Sequence, residues 1–181
     1  MRIAVIGSSG AGKTTFSRAL GRRLGLPVVE LDAVNWQAGW RDLVTHDPDE
    51  FVRRAGEALA GERWITDGNY SLVMGRIWPR VTDAVWLDYS KAVVMGRVIR
   101  RSISRALSRR ELWPGTGNRE DWLRWFDKGH PIRWAWDTFE SRRSRYEALF
   151  ADPALAHVRV HRLTRPGDAP RLEARLAAAD R

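Results

Sequence analysis

Short apolar runs alternate along this chain with longer segments whose apolar positions recur every three to four residues. The short runs cover residues 2–6, 28–31, 63–66, 84–87 and 158–163. Runs of this length predict buried strands, and the segments between them predict amphipathic helices. Strands that alternate with helices are typical of a parallel sheet covered by helices on both faces. The pattern therefore predicts an α/β fold with five strands, in one domain over residues 1–181.

Capping residues set the expected ends of the helices. Gly25 is placed to end a helix over residues 13–24, and Asp47 with Pro48 opens another that runs to about residue 60. Ser90 is the expected cap of a long helix that continues to the break at residues 113–118. Further helices are expected over residues 71–78 and 119–127, from Pro131, and from about Asp168.

Residues 7–15, GSSGAGKTT, lie between the first strand and the first helix and match the P-loop pattern G-x4-G-K-[ST]. In that context the glycines let successive backbone N–H groups cradle a β-phosphate at the positive end of the helix dipole. Lys13 can reach the β- and γ-phosphates, and Thr14 can bind Mg²⁺. The alternative, a glycine-rich turn without a ligand, does not account for the flanking strand and helix. We expect ATP and Mg²⁺ as cofactors, with nucleotide contacts from Ser9, Gly10, Ala11, Gly12, Lys13, Thr14 and Thr15.

Three aspartates follow predicted strands, and ligands of an open parallel sheet collect at the carboxyl ends of its strands. Asp67 is predicted to hold the hydration shell of Mg²⁺, against the alternative of a turn-forming Asp-Gly. Asp32 is predicted to orient an acceptor hydroxyl or to accept its proton, against the alternative of a helix or loop cap. Asp88 is expected to cap the helix that follows the fourth strand.

Aromatic residues cluster after the second strand, and residues 32–62 are the predicted acceptor-binding region. Trp36 and Trp40 lie in a glycine-containing loop without periodicity, so we expect them to form an acceptor wall with Tyr70 rather than core. Asn69, beside Tyr70, is counted with this set. The later tryptophans at positions 113, 122, 125, 134 and 136 are expected in the core of a lid, because several fall at helical spacing.

The basic charge is concentrated in one segment. The chain has a net charge of +9, and residues 96–145 contain 12 arginines and one lysine against six acidic residues, a net charge of +7. Such a segment either closes over polyphosphate as a lid or binds nucleic acid. Phosphoryl transfer needs positive charge over the γ-phosphate, and Arg143 is the predicted contributor from the returning helix. We expect Arg105, further along the preceding helix, to be solvated.

Other compositional features exclude some classes. The chain has no cysteine, which excludes disulfides and thiol chemistry, and its four histidines lack metal-site spacing. No apolar run approaches membrane-spanning length and no signal-peptide pattern precedes the first strand, so a cytoplasmic protein without a membrane partner is expected.

The P-loop, the Asp-Gly after strand three, the Leu-Asp after strand four and the arginine-rich helix resemble the adenylate-kinase-like nucleoside monophosphate kinases. Leu31-Asp32-Ala33, residues 64–70 (WITDGNY) and Leu87-Asp88 are more similar to the bacterial DNA topology modulation proteins. This resemblance implies strand order 2-3-1-4-5 and a lid between strands four and five. It also implies that Arg97 lies over adenine, that Arg101 contacts ATP phosphate, and that the adenine edge lies near residues 162–166, with Arg162.

The chain departs from adenylate kinases where AMP is held. The arginines that follow strand two and the Asp-Gly in that family are missing here, although Arg41 or Arg76 is placed to substitute. We therefore expect transfer of the γ-phosphoryl group to a small acceptor, with nucleotides and nucleosides as the leading class. Two alternatives stay open at this point: a nucleic-acid-binding P-loop ATPase linked to DNA topology, and a nucleotide-gated switch without chemistry.

Overall fold

The structure is a computed structural model that describes residues 1–108, 111–120 and 131–180. The strands are β1 (Arg2–Gly7), β2 (Val28–Glu30), β3 (Trp64–Asp67), β4 (Asp83–Leu87) and β5 (Arg159–Leu163). The α-helices are α1 (Lys13–Leu24), α2 (Leu31–Asn35), α3 (Leu43–His46), α4 (Pro48–Ala58), α5 (Ser71–Ile77), α6 (Lys91–Ser108), α7 (Pro131–Ala151) and α8 (Ala169–Ala179). Short 3₁₀ turns occupy Ala38–Trp40, Trp78–Arg80, Pro153–Leu155 and Pro166–Asp168.

The five strands form one parallel sheet in the order β2-β3-β1-β4-β5, which confirms the predicted fold and strand order. Near the carboxyl end of β1, Val5 pairs with Asp67 on one side and Val85 on the other. The chain leaves β1 directly into the P-loop, so this register brings Asp67 beside the loop. The central strand thus positions both halves of the predicted metal site.

Helices cover both faces of the sheet, and each face has its own core. Alternate side chains of β1 point to opposite faces and therefore pack into different cores. Ile6 faces a core that contains Phe51 and Tyr146. Val5 faces the second core, which contains Leu20 of α1. Both faces are buried, which explains why the central strands are continuous apolar runs rather than alternating ones.

The first helix begins and ends at glycines, as the sequence predicts. Gly12 and Gly25 take left-handed backbone angles at the two ends of α1, with φ of 96° and 64°. Helix α4 also begins as predicted, since the Asp47 carboxylate accepts from the N–H of Glu50 and Pro48 occupies the first turn.

The segment after β2 differs from the prediction. The strand ends at Glu30, one residue early, and residues 31–35 form α2 instead of a strand end and a loop. Leu31 is completely buried in the core that contains Phe51. A buried leucine at the end of an apolar run suits a strand and a helix equally, and contact with α4 decides between them.

The predicted lid comprises most of α6, residues 111–120 and the first two-thirds of α7. The predicted helix over 119–127 lies mostly outside the described residues, as do Trp122 and Trp125; Arg119 itself forms an isolated antiparallel bridge with Glu111. Within the described parts of the chain, no helix is both long and apolar enough to cross a membrane.

Candidate active site

The P-loop is pressed against helix α6. Gly10 has a left-handed φ of 86°, and a Cβ at this position would lie 2.1 Å from Cγ2 of Val98. A side chain at position 10 is therefore excluded both by backbone conformation and by contact with α6. The carbonyl oxygen of Ser8 accepts from the N–H of Ala11 at 3.1 Å and from Nζ of Lys13 at 3.2 Å. The Lys13 ammonium is folded over its own loop.

A threonine and an aspartate meet at the start of α1. The hydroxyl of Thr14 donates to Oδ2 of Asp67 at 2.5 Å, and Asp67 is buried. Burial raises the pKa of Asp67, while the nearby Lys13 charge and the Thr14 hydroxyl act in the opposite direction. Both groups supply the oxygen atoms that Mg²⁺ prefers. Together they fit the predicted metal site.

No cluster of three or more acidic, histidine or cysteine side chains that could hold a metal occurs among the residues described. Mg²⁺ in a nucleotide site is usually held by one or two protein groups together with phosphates and water. Thr14 and Asp67 are the groups that could hold it here.

A cavity of about 1250 Å³ opens over the P-loop and runs along α6. Most of the predicted site residues line it: Ser9, Gly10, Ala11, Gly12, Lys13, Thr14, Thr15, Asp32, Trp36, Trp40, Arg97 and Arg101. The structure thus brings the P-loop, the proposed acceptor aspartate and two lid arginines to one opening. Pro166 also lines the cavity, at the predicted adenine edge.

Three arginines four residues apart on α6 extend from the P-loop along this cavity. Arg97 donates from Nη1 to the carbonyl oxygen of Ala11 at 2.7 Å, and its guanidinium lies 5.1 Å from the centre of the Tyr89 ring. Arg101 and Arg105 follow on the same helical face, since residues four apart on a helix lie one above the other. The predicted contact of Arg97 with adenine stays a prediction; its observed contact is with the loop.

Arg101 and Arg105 are desolvated. Burial lowers the pKa of both guanidinium groups, with the neighbouring positive charge as the second cause at Arg101. Nε of Arg101 is buried and has no hydrogen-bond partner within residues 1–108, 111–120 and 131–180. The expectation that Arg105 is solvated was wrong: it lines the cavity, and its Nη1 lies 3.9 Å from the buried carboxylate of Glu120.

Asp32 is held by a tyrosine. It lies in the first turn of α2, and Tyr70 donates from its hydroxyl to Oδ1 of Asp32 at 2.5 Å. The Tyr70 ring packs against Phe51, with ring centres 5.0 Å apart. Burial raises the pKa of Tyr70, and the Asp32 charge adds to the shift, so this phenol stays protonated as a donor.

Three tryptophans from two segments form the aromatic wall. Trp36 is stacked on Trp113 at 5.8 Å, and Trp40 meets both rings edge-on, at 5.6 Å from Trp36 and 5.8 Å from Trp113. All three line the cavity. The expectation that Trp113 belongs to the lid core was therefore wrong. Trp134 and Trp136 also depart from it, since they are 46% and 56% exposed.

Asn118 joins the same two segments. Its Oδ1 accepts from the N–H of Trp40 at 2.9 Å, and its Nδ2 donates to the carbonyl oxygen of Gln37 at 2.8 Å. Trp40 is held in a left-handed conformation with φ of 60°, next to Gly39 with φ of 68°. The buried Asn118 amide thus ties this irregular loop to the segment that carries Trp113.

Several predicted residues lie elsewhere. Asn69, Tyr70 and Arg76 are outside the cavity lining, and Arg76 is exposed on α5. Arg143 also lies outside, with Nε 3.2 Å from Asp88. The structure does not place these four side chains with the P-loop residues, and any contact with substrate stays a prediction.

The prediction that Asp88 caps α6 was wrong. Ser90 is the cap, with its Oγ 3.5 Å from the N–H of Val93. Asp88 accepts from Nη2 of Arg162 at 2.6 Å and pairs with Arg143. The Arg162 guanidinium lies 4.2 Å from the centre of the Trp86 ring, so it packs between a carboxylate and an aromatic face. Ion pairs with two arginines offset the free-energy cost of burying the Asp88 carboxylate. This side chain therefore pairs with the arginines and does not cap α6.

Sequence reasoning missed four residues at this site: Arg105, Asn118, Glu120 and Arg142. Arg142 is close enough to Tyr70 to lower its pKa, against the larger effects that raise it. A signal for Arg142 was present, because it falls on the same helical face as the buried Phe139 and Tyr146. Arg105, Asn118 and Glu120 have no comparable sequence signal.

Comparison with known proteins supports the fold. The sequence matches no protein-family model and no curated protein. Among solved structures, shikimate kinase from Acinetobacter baumannii is 17% identical, with a TM-score of 0.59 over 98% of this chain and 91% of that one. A gluconokinase from Sinorhizobium meliloti 1021 is 18% identical, with a TM-score of 0.51 over 98% and 92%. Deoxyadenosine kinase from M. mycoides with bound dCTP is 12% identical, with a TM-score of 0.54 over 99% and 100%.

At these identities the likeness establishes the fold, which is that of P-loop kinases. The narrower similarity to DNA topology modulation proteins stays a prediction. The chain has the architecture of P-loop kinases.

Proposed function

We propose that the protein is an ATP-dependent phosphotransferase that moves the γ-phosphoryl group to a small acceptor. The observation that carries the proposal is that the P-loop, including Lys13, and Asp32 line the same cavity. A nucleotide and an acceptor can therefore meet there without a change of fold. The likeness to three kinases supports the same reaction class.

The leading acceptor class is a nucleotide or nucleoside, which places the protein nearest to nucleoside monophosphate kinases. The support is the wall of Trp36, Trp40 and Trp113, because flat aromatic rings suit a planar base or the apolar face of a sugar. The three kinases of similar fold are named for three unlike acceptors, so the fold itself does not select one.

The P-loop binds the triphosphate through its backbone N–H groups, and Lys13 moves from the Ser8 carbonyl oxygen to the β- and γ-phosphates. Thr14 and Asp67 would hold Mg²⁺, which would supply positive charge to the phosphate oxygens. The Thr14–Asp67 hydrogen bond holds the two oxygens side by side. Arg101 lies along the same wall and adds positive charge toward the transferred group.

Asp32 orients the acceptor hydroxyl, and Tyr70 keeps its carboxylate in place. The hydroxyl oxygen forms a bond to the γ-phosphorus as the bond from that phosphorus to the bridging oxygen breaks. ADP leaves with the bridging oxygen, and Asp32 accepts the hydroxyl proton. The tryptophan wall and the lid exclude water, which would otherwise replace the acceptor.

Coupled ADP release, screened over nucleosides, nucleoside monophosphates and sugar-like alcohols, tests the proposal. We expect acceptor-dependent ADP formation, and Lys13→Ala should reduce it by roughly 10²–10³ because a transition-state charge contact is lost. Lys91→Ala is the matched control, since Lys91 lies over the Trp136 ring away from the P-loop and should keep parental activity. A Lys13→Ala enzyme with more than about half the parental rate contradicts the site assignment.

Nucleic-acid binding remains the alternative for the basic segment. Arg97, Arg101 and Arg105 are turned to the cavity, so this part of the charge is not offered to a duplex. Non-specific binding of duplex DNA at about 150 mM salt should therefore give a dissociation constant of ~10⁻⁴–10⁻⁶ M. Submicromolar binding that a non-hydrolysable ATP analogue does not displace would favour the nucleic-acid function.

A further inference from the structure

Two neighbouring guanidinium groups on α6 have N–H donors that form no hydrogen bond with a carboxylate of the described residues. Arg101 and Arg105 lie one turn apart and both line the cavity. Within the described residues, neither makes a hydrogen bond to a carboxylate, and Nε of Arg101 is a buried donor without a partner. A buried donor left unpaired is destabilising, and more so when it is charged, so such groups persist where a ligand completes them.

Among the residues that the structure describes, the carboxylate in contact with this pair does not saturate its N–H donors. Glu120 lies 3.9 Å from Nη1 of Arg105, which is an electrostatic contact beyond hydrogen-bond length. Its side chain is only 4% exposed, whereas that of Arg105 keeps 34% of its surface accessible. Glu120 therefore offsets part of the charge and holds the Arg105 side chain, while N–H donors of Arg105 remain for a ligand in the cavity.

The position of Arg105 separates it from the triphosphate. Arg97 is bonded to the P-loop at Ala11. Each step of four residues rises about 6 Å along a helix, so Arg105 begins about 12 Å beyond Arg97. A triphosphate in the P-loop would therefore meet Lys13 and Arg97 first. Arg105 lies further along α6 and lines the same cavity as Trp113.

Asp32 lines the same cavity, and its charge raises the pKa of both arginines against the larger effect of burial. The acceptor hydroxyl at Asp32 and a second group at Arg105 can thus belong to one small molecule. We infer that the acceptor carries an anionic group, a carboxylate or a phosphate, which Arg105 binds at the outer end of the cavity. This inference rests on the proposed phosphotransfer and narrows the acceptor to acidic alcohols, including nucleoside monophosphates, and away from uncharged nucleosides.

Equilibrium binding of inorganic phosphate tests the anion site without turnover. A non-hydrolysable ATP analogue with Mg²⁺ first occupies the triphosphate site, and phosphate is then titrated calorimetrically. We expect one further phosphate per chain with a millimolar dissociation constant. Arg105→Gln should weaken it at least tenfold, and Arg105→Lys should keep part of it, since a lysine retains the charge without the planar fork.

Arg145→Gln is the matched control, because Arg145 is an exposed arginine of α7 outside the cavity lining. It should leave phosphate binding within about twofold of the parent. Absence of phosphate binding up to 50 mM, or binding that Arg105→Gln leaves unchanged, would overturn the inference.

Matched acid and neutral probes then identify the source of the anion. Tryptophan fluorescence is used to measure the dissociation constants of two matched pairs, AMP with adenosine and D-gluconate with D-glucose. We expect at least one acid to bind tenfold more tightly than its neutral partner, and Arg105→Gln to bring that ratio within about twofold. Preference for AMP indicates a phosphate and preference for gluconate a carboxylate; equal or tighter binding of both neutral probes overturns the inference. If the parental protein binds phosphate but forms no ADP with any acceptor, the proposed phosphotransferase activity is contradicted and the anion site is not.

Discussion

The hydroxyl of Tyr70 lies 2.5 Å from Oδ1 of Asp32 and donates to it. These two residues are 38 positions apart, in segments that follow β3 and β2. Asp32 is the carboxylate of α2 that lines the cavity. Its hydrogen bond to Tyr70 connects it to the core, because the Tyr70 ring packs against Phe51. The observed contact of Tyr70 is therefore with Asp32, and we expect it to position that carboxylate; its contact with an acceptor stays a prediction.

Tyr70→Phe should lower kcat by about tenfold to a hundredfold while KM for ATP changes less than about twofold. The substitution keeps the ring against Phe51 and removes only the donor, and hydrogen bonds to charged groups are worth about 1.5–3 kcal/mol. Coupled ADP release at saturating ATP gives both constants. Tyr146→Phe is the control: it removes a hydroxyl 3.3 Å from the Gly7 carbonyl oxygen, and an equal loss of kcat there would rule out a specific role for the Asp32 contact.

Asp67→Asn should raise the melting temperature of the nucleotide-free protein at pH 8 and also raise the Mg²⁺ concentration needed for activity. Burial raises the pKa of Asp67, so its ionised form destabilises the fold above the folded pKa, and this effect disappears as pH falls through that pKa toward the unfolded value. Asparagine removes the buried charge and can still accept from Thr14. The increase in melting temperature should therefore shrink toward acidic pH, as thermal denaturation across pH will measure.

Asp32→Asn is the comparison for this effect. It should depress acceptor-dependent turnover and leave the Mg²⁺ requirement near parental, because Asp32 belongs to the acceptor side of the cavity. Equal loss of Mg²⁺–ATP affinity in both variants would contradict the separation of the metal and acceptor roles.

Much of the fold follows from local sequence. The apolar run before residues 7–15 and the amphipathic segment after them specify strand, loop and helix within the first 24 residues, and Gly25 ends the helix as expected. Asp67 could be placed beside Thr14 because parallel strands end at one edge. These features depend on neighbours in sequence or on the general geometry of parallel sheets.

The rest depends on contacts between distant segments. Asn118 bonds to backbone atoms of Gln37 and Trp40, 81 and 78 positions away, and backbone atoms leave no trace in side-chain patterns. Arg105 looked like an exposed basic residue because nothing near it in sequence indicates that residues 111–120 fold over it. Leu31 could not be assigned to a helix before its contact with α4 was known.

Asp83→Asn should destabilise the protein by about 2 kcal/mol at pH 7. Burial opposes ionisation of Asp83, but hydrogen bonds from His161, Arg159 and Thr82 outweigh it and lower the pKa of this carboxylate. A lowered folded pKa gives stability that is present above the unfolded value of about 3.9 and is lost as pH falls through the folded one. Urea denaturation should therefore show the two proteins converging as pH falls below about 4.

Asp180→Asn provides the matched control for that measurement. Asp180 forms an ion pair with the half-exposed Arg63 at the protein surface, where such pairs contribute about 0–1 kcal/mol. Its removal should leave stability within about 0.5 kcal/mol at any pH tested. A loss as large as that of Asp83→Asn would mean that the β4–β5 edge has no special role.

Asn118→Ala should raise KM for the acceptor and increase ATP hydrolysis without acceptor, with little change in KM for ATP. The buried amide satisfies one N–H and one carbonyl of the loop that carries Trp36 and Trp40, and Trp113 packs on both rings from the segment that carries Asn118. Without the amide, the left-handed turn at Trp40 loses its tie to that segment. The aromatic wall then opens, and water reaches the transferred phosphoryl group.

A red shift of the tryptophan emission should accompany the kinetic change. Gln37→Ala is the comparison variant: it keeps the backbone carbonyl that Asn118 uses and removes only the side-chain hydrogen bonds to Val34 and Arg54, so its effect should be smaller than that of Asn118→Ala. Unchanged emission and unchanged hydrolysis in Asn118→Ala would show that the acceptor wall holds its shape without this contact.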